Sequence, residues 1–402
     1  MIFVFYFFAT VLIWLSFKSF RGGIEYLRFF RSELAKPPSQ FKPFVSLIAP
    51  CRGIDDGLEQ NLTALIEQDY PDYEVIFVAD DADDESVATI REVSRKAAEN
   101  AKKTKLIVAG KADGCSQKVE NLREAVLHVA PKSEIFAFVD SDARPSKEWL
   151  AALVAPLADK NVGAATGYRW FISKNPTFGS EMRAVWNASI ASALGPNTRS
   201  NFCWGGSMAI RRDVFEAVNM REKWLGTLSD DFAATRAMNA AGMPIVFVPQ
   251  ALTASVEDCS LTETVEFTNR QMKITRVYAT PLWLMSFVGS GVFNAVMLTA
   301  ILIVIFNRTN SLPVWISLGV LVFITACSIG KAWLRLATVR LVMTEHEAEL
   351  ERQFWTQNTL WLLSPALFFI NSVAAWMSRR MTWRGITYEL KSPSETVIIR
   401  GE

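Results

Sequence analysis

Ile135-Phe136-Ala137-Phe138-Val139-Asp140-Ser141-Asp142 is an apolar run that stops on two carboxylates. A short stretch that is apolar at every position suits a strand buried on both faces of a parallel sheet. Tyr73-Glu74-Val75-Ile76-Phe77-Val78-Ala79 has the same character and stops on Asp80-Asp81-Ala82-Asp83-Asp84. Further strands are predicted at 44–49, 105–108 and 162–167. Helices are predicted at 58–68, 86–100, 119–129 and 149–157, the first from the spacing of Leu58, Leu62, Leu65 and Ile66. Strand alternating with helix predicts a parallel sheet with helices on both faces. Ligands of such sheets lie beyond the carboxyl ends of the strands. Two strands therefore deliver acids to the edge where a ligand is expected.

Carboxylates gathered at one edge repel unless a cation or donor group lies among them. Asp140 and Asp142, at i and i+2, can both face a divalent ion where the chain turns. Asp83 and Asp84 also suit a simpler role, as turn or helix-cap residues. Downstream, Gly205-Gly206 in the stretch 202–207 lets backbone approach a ligand, or merely turns the chain. Ser229-Asp230-Asp231-Phe232 opens an amphipathic helix over 233–241. Ser229 or Asp230 suits its cap, and an Asp held there by the helix N-terminus is also a candidate base. The chain has two histidines, His128 and His346, neither in a suggestive context, so carboxylates are the available bases.

The 402 residues carry 42 basic and 41 acidic side chains, which excludes a basic nucleic-acid binder as a description of the whole. Half the residues are hydrophobic, and they are segregated. Residues 1–17 hold no charge and are followed by Lys18 and Arg21, as in an uncleaved membrane anchor over 1–20. The basic residues after it, Lys18, Arg21, Arg28, Arg31 and Lys36, place the following domain in the cytoplasm by the positive-inside rule. Apolar runs at 282–306, 312–329 and 355–377 are each near span length, and 378–402 reads as a polar tail. Arg379, Arg380 and Arg384 favour a cytoplasmic C-terminus, whereas counting every run as a span puts it outside. The segment 181–194 fits a helix lying on the membrane or an amphipathic core helix. Cys51, Cys115, Cys203, Cys259 and Cys327 are odd in number and scattered, which speaks against a disulfide framework or a cysteine zinc site.

Over 45–274 the order of these elements resembles a GT-A glycosyltransferase of the large inverting family 2, closest to the ceramide glucosyltransferases and their bacterial relatives. The resemblance implies an α/β GT-A (Rossmann-like) cytosolic domain over 44–280 plus α-helical transmembrane segments over 282–377. It implies that Asp81, with Asp80 beside it, holds the nucleotide base. Asp140-Ser141-Asp142 then holds the donor diphosphate and a Mg2+ or Mn2+ ion, with Asp142 as metal ligand. Asp231 is the catalytic base, with Asp230 beside it. Lys118 and Asn121 match a stretch that lines the donor site, and the residue reading adds Gly205 and Gly206 as candidates for substrate binding. Arg270 and Lys273 stand in the family's Q/R-x-x-R-W motif, here R-x-x-K-I with Ile274 in place of tryptophan. That pair either stabilises the departing diphosphate or anchors the protein to anionic lipid. Thr382-Trp383-Arg384-Gly385-Ile386-Thr387-Tyr388 resembles a recurring ending of these enzymes. The implied reaction moves a hexose from a nucleotide sugar, by family default a UDP-sugar, to a membrane lipid such as ceramide. The other readings are a processive polysaccharide synthase, which would want the missing tryptophan and more spans, and a non-catalytic membrane scaffold.

Overall fold

The computed structural model describes residues 2–99, 103–307 and 311–399. They fall into two compact units. Met1–Ser32, Pro176–Ser192 and Cys259–Ser378 make one, and Glu33–Asn175, Ala193–Asp258 and Arg379–Glu402 make the other.

The second unit is built on a seven-stranded sheet ordered β3-β2-β1-β4-β6-β5-β7. Its strands are β1 Val45–Pro50, β2 Tyr73–Ala79, β3 Lys103–Val108, β4 Ile135–Phe138, β5 Ala164–Ile172, β6 Met208–Arg211 and β7 Ile245–Val256. β1, β2 and β4 are buried at every position, as their apolar runs require. Alternation along these strands divides the core in two. Ile48, Ile76, Val78, Phe136 and Phe138 face one side, with Phe215 and Trp224. Leu47, Val75, Phe77, Ile135 and Ala137 face the other, with Leu62 and Trp149. Lys103 and Lys105 lie on β3 at the sheet edge, where charge discourages pairing with another chain.

The sheet is mostly parallel, as expected, with an exception at β6, which pairs antiparallel with both β4 and β5. After β5 no crossover returns the chain to the opposite edge, so β6 starts from the edge where β5 ends. The reading of 378–402 as a polar tail also gives way. Arg380–Trp383, Ile386–Ser392 and Glu395–Ile399 form a three-stranded antiparallel sheet, β8 to β10. Tyr388 and Leu390, at alternate positions of β9, are buried. The Tyr388 hydroxyl accepts from the Gln117 N–H at 3.2 Å, and Ile398 packs on the core that contains Trp224.

In the first unit, three helices are long and apolar enough to cross a membrane: Ile2–Leu34, Thr280–Phe306 and Leu312–Arg340. Phe5, Ala9, Leu12, Val296, Met297, Ala300, Val320 and Ile324, from these three helices, share one cluster in which Ala9 and Ala300 allow close approach. The expected run 355–377 is not one straight span. It is broken between the segments Thr344–Leu362 and Ser364–Met377, which bend by 59°. Pro365 has no N–H to continue the helix, and the first segment carries the buried polar residues Gln353, Gln357 and Asn358. Phe178–Ala191 is a core helix of this unit, with most of its residues buried and Trp186 stacked on Phe368 at 4.8 Å.

Gly226 has φ +77°, and a Cβ there would lie 2.2 Å from the Ser394 carbonyl oxygen in the β9–β10 turn. Gly226→Ala is expected to loosen the C-terminal sheet and destabilise the protein by about 1–3 kcal/mol. A thermal melt of solubilised protein checks it, and an unchanged melting temperature contradicts the packing described.

Candidate active site

Lys118 is the hub of the acid edge. It is the second residue of the helix Gln117–Ala125, whose N-cap Ser116 accepts from the Val119 N–H. Its Nζ lies 2.6 Å from Asp140 Oδ1 and 3.1 Å from Asp230 Oδ1. Burial opposes its charge, but Asp140, Asp230 and Asp231 outweigh burial and keep it protonated. Arg169, on β5, bridges the other side. Its two terminal nitrogens each lie 3.1 Å from a carboxylate, one from Asp140 Oδ2 and one from Asp142 Oδ2. The guanidinium also lies 4.7 Å from the centroid of the Trp204 ring. Burial works against ionisation of Asp142, yet Arg169, Arg384 and Lys118 hold its carboxyl below the usual range.

The paired glycines are required by these acids. A Cβ on Gly205 would lie 2.1 Å from Asp230 Oδ2 and 2.8 Å from Lys118 Nζ. One on Gly206 would strike the Trp204 ring at 2.2 Å and come 2.8 Å from Asp140 Oδ2.

Asp230 and Asp231 open the helix Asp230–Ala240 and face different surroundings. Asp230 is buried, and burial first, with Asp231 and Asp140 adding to it against the pull of Lys118, pushes its carboxyl up to about 6. Asp231 is half-buried. Its Oδ1 accepts from the Ser229 hydroxyl and from the Phe232 N–H at 2.7 Å.

Asp80 and Asp81 form a second cluster after β2. Asp80 pairs with Arg52 and, at 3.0 Å, with Lys111, which also lies 3.1 Å from Asp81. Asp84 instead closes a turn, accepting from the N–H groups of Gly53 and Ser86, the simpler of its two expected roles. Asn121 is buried, bonded to Gln117 and to the Val78 carbonyl, so it supports the loop before the helix.

The α/β unit thus gathers Asp140, Asp142, Lys118, Asp230, Gly205 and Gly206. Arg270 and Lys273 belong to the other unit, on the helix Leu261–Tyr278. Arg270 lies 5.4 Å from the Phe267 ring, and burial lowers the Lys273 pKa.

Sequence reasoning missed Arg52, Asp55, Lys111 and Arg169. Arg52 and Asp55 directly follow β1, so the strand-edge rule, applied to every strand, points to them. Arg169 has no local signal. Asp55 accepts from the Ser141 hydroxyl at 2.6 Å and pairs with Arg384 of the C-terminal sheet.

Among the described residues, no group of three or more His, Cys, Asp or Glu side chains is arranged to hold a metal. Asp142 Oδ1 is nevertheless buried without a hydrogen-bond partner. Two carboxylates with such an oxygen fit a hard divalent ion that draws its remaining oxygens from a phosphate ligand and water.

The model of glycosyl transferase family 21 matches residues 6–396, and the chain belongs to that family. Its α/β unit has the GT-A, Rossmann-like fold, and the chain is a glycosyltransferase. Solved structures similar to it include a Pyrobaculum calidifontis mannosyltransferase in complex with GDP-Man and Mn2+ (19% identity, 92% of this chain and 98% of that one, TM-score 0.44). Others are S. aureus TarS (13% identity, 90% and 99%, TM-score 0.37) and the Mycobacterium tuberculosis glucosyl-3-phosphoglycerate synthase with Mn2+ and uridine-diphosphate-glucose (14% identity, 61% and 80%, TM-score 0.35).

Because burial raises the Asp230 pKa, its contribution to stability is present below the ordinary carboxylate range and is lost as pH rises through about 6. The melting temperature of the wild type minus that of Asp230→Asn should therefore be larger at about pH 5 than at about pH 7. A difference that stays flat, or grows with pH, contradicts this reading of the buried carboxyl.

Proposed function

We propose that this glycosyltransferase is an inverting membrane enzyme that moves a hexose from a nucleotide sugar to a hydroxyl of a membrane lipid. UDP-glucose or a related UDP-sugar is the proposed donor, and ceramide or a similar lipid the acceptor. The observation that carries the proposal is the pairing, within one family 21 chain, of the Asp140-Ser141-Asp142 edge with three helices long and apolar enough to cross a bilayer. An acceptor dissolved in water gives no reason for such helices, since the α/β unit has a core large enough to fold alone.

Each site residue has a role under this proposal. Asp81 and Asp80 take the nucleoside end of the donor, and Asp140 and Asp142 face its diphosphate. Mg2+ or Mn2+ held by Asp142 and Asp140 would supply positive charge to the departing diphosphate. Lys118 pairs with Asp140, and Arg169 bridges Asp140 and Asp142, so the two cations hold the carboxylates in place. Gly205 and Gly206 keep side-chain bulk away from Asp230 and Asp140.

Asp231 accepts the proton of the acceptor hydroxyl, which attacks the anomeric carbon from the face opposite the leaving group. Ser229 and the Phe232 N–H fix one oxygen of Asp231, Oδ1, and Oδ2 takes that proton. Asp230 is buried against Lys118, which keeps it from an acceptor hydroxyl. Its role is to position Lys118. Arg270 and Lys273 supply positive charge for the diphosphate or for anionic headgroups. The catalytic domain is proposed to face the cytoplasm, a reading supported by the basic residues that follow the uncharged stretch 1–17, Lys18, Arg21, Arg28, Arg31 and Lys36.

Full-length enzyme in lipid nanodiscs, given labelled UDP-sugar and Mn2+, should put label into the organic phase as a monoglycosylated lipid and none when EDTA is in excess. A water-soluble product or a ladder of growing oligosaccharide would show the acceptor reading to be wrong, and full turnover in EDTA would remove the metal. Asp231→Asn should retain donor binding and lose about 10²–10⁴-fold in turnover, the usual effect of a lost general base. Unchanged turnover would move that role to Asp230 or elsewhere.

A further inference from the structure

The turn between β8 and β9 consists of Arg384 and Gly385, with φ of +51° and +76°, flanked by the pair Trp383 and Ile386. Two positive φ angles in a two-residue hairpin define a turn that strongly prefers Asn-Gly or Asp-Gly. An arginine in the left-handed region is disfavoured by roughly 1–2 kcal/mol against residues that tolerate it. The turn itself gains nothing from this arginine, so a reason must be sought where its side chain goes.

That side chain reaches the acid edge. One terminal nitrogen pairs with Asp55, and the other donates to the Arg52 carbonyl at 2.9 Å. In return, Arg52 Nε donates to the Arg384 carbonyl at 3.1 Å. The hairpin tip is thus fastened to the loop that follows β1. Asp55 in turn accepts from the hydroxyl of Ser141, between the two carboxylates of the pair. The Arg384 charge is felt at both Asp142 and Asp140.

Three cations serve this edge, and they are not held equally. Lys118 is shared by two carboxylates with its side chain 14% exposed, and Arg169 by two with 12% exposed. Among the described residues Arg384 pairs with one carboxylate, Asp55, besides its bond to the Arg52 carbonyl, and its side chain is 34% exposed. An anion arriving at this edge meets two cations locked in place and one that can change partners. A planar guanidinium matches phosphate oxygens in a bidentate manner, which an ammonium does not. A fixed hairpin also delivers it at little cost in chain entropy.

We propose that Arg384 is a ligand of the donor's diphosphate, kept on Asp55 until the donor arrives. The assignment rests on the nucleotide-sugar reading above and adds a residue outside the acid motifs. Asp55 is the placeholder, and the C-terminal sheet is part of the donor site. Tyr388, which anchors β9 to the Gln117 N–H, keeps the hairpin in register with the helix that carries Lys118.

The test is nucleotide binding by full-length protein in nanodiscs with Mn2+, measured calorimetrically for UDP, UMP, GDP and GMP. Arg384→Asn retains a residue the turn favours, so the hairpin is expected to persist. This variant should bind the diphosphate that the wild type prefers about 10–100-fold more weakly, as for loss of hydrogen bonds to a charged group. The matching monophosphate should bind within about 2-fold of the wild type, because its single phosphate does not reach Arg384. Arg384→Lys should recover part of the loss. Tyr388→Phe serves as the control for a purely structural hairpin, which would weaken mono- and diphosphates alike in both variants. Equal diphosphate affinity in Arg384→Asn and wild type, or an equal loss for both nucleotides, overturns the assignment. A wild type that binds none of the four nucleotides overturns the donor reading itself, and this assignment with it.

Discussion

Asp55, the Asp140-Asp142 pair and Asp230 come from three separate stretches of the chain yet converge on one edge of one sheet, where their charges repel unless cations lie among them. The cations come from elements far apart in the chain: Lys118 from a helix, Arg169 from β5 and Arg384 from the C-terminal hairpin. Each connection ties two elements of the α/β unit together. Removing one partner of the buried Lys118 or Arg169 pairs leaves the other uncompensated, at a cost typically of about 3–5 kcal/mol. The same pairs that hold the edge ready for a ligand therefore also brace the unit.

The sheet and its acid edge were largely legible because both depend on local pattern. Strands buried on both faces must be apolar throughout, and YEVIFVA and IFAFV announce themselves for that reason. Asp140 and Asp142 follow directly, since they terminate such a strand. The antiparallel β6 was hidden, because Met208–Arg211 is too short to show a period and its direction depends on where the preceding chain emerges. Arg169 was hidden for a different reason. It is one charged residue within an otherwise buried strand, and only the spatial neighbourhood of β4 and β5 reveals its partners.

The C-terminal sheet shows how composition misleads. Residues 379–399 are rich in charge and read as a tail, yet Ile386, Tyr388 and Leu390 alternate with polar residues as a half-buried strand requires. The Arg384-Gly385 turn also lacks the usual Asn-Gly signal. The broken run at 355–377 fails in the opposite direction. Its overall apolarity suggests a span, while Pro365 and the buried Gln353, Gln357 and Asn358 make it two segments.

Ile274 bears on how such an enzyme treats its product. In this chain the position following the basic pair holds an aliphatic side chain, buried in the helix Leu261–Tyr278 of the apolar unit. An aromatic ring presents a flat face on which a sugar can stack; an isoleucine presents none. Keeping a growing glycan in place between successive additions calls for contacts to the sugar already transferred. Without such a platform at this position, binding energy has to come from the part of the acceptor that does not change. For a lipid that part is the acyl chains, which are already held by the bilayer. Under the lipid-acceptor proposal, a single addition followed by release is the expected outcome.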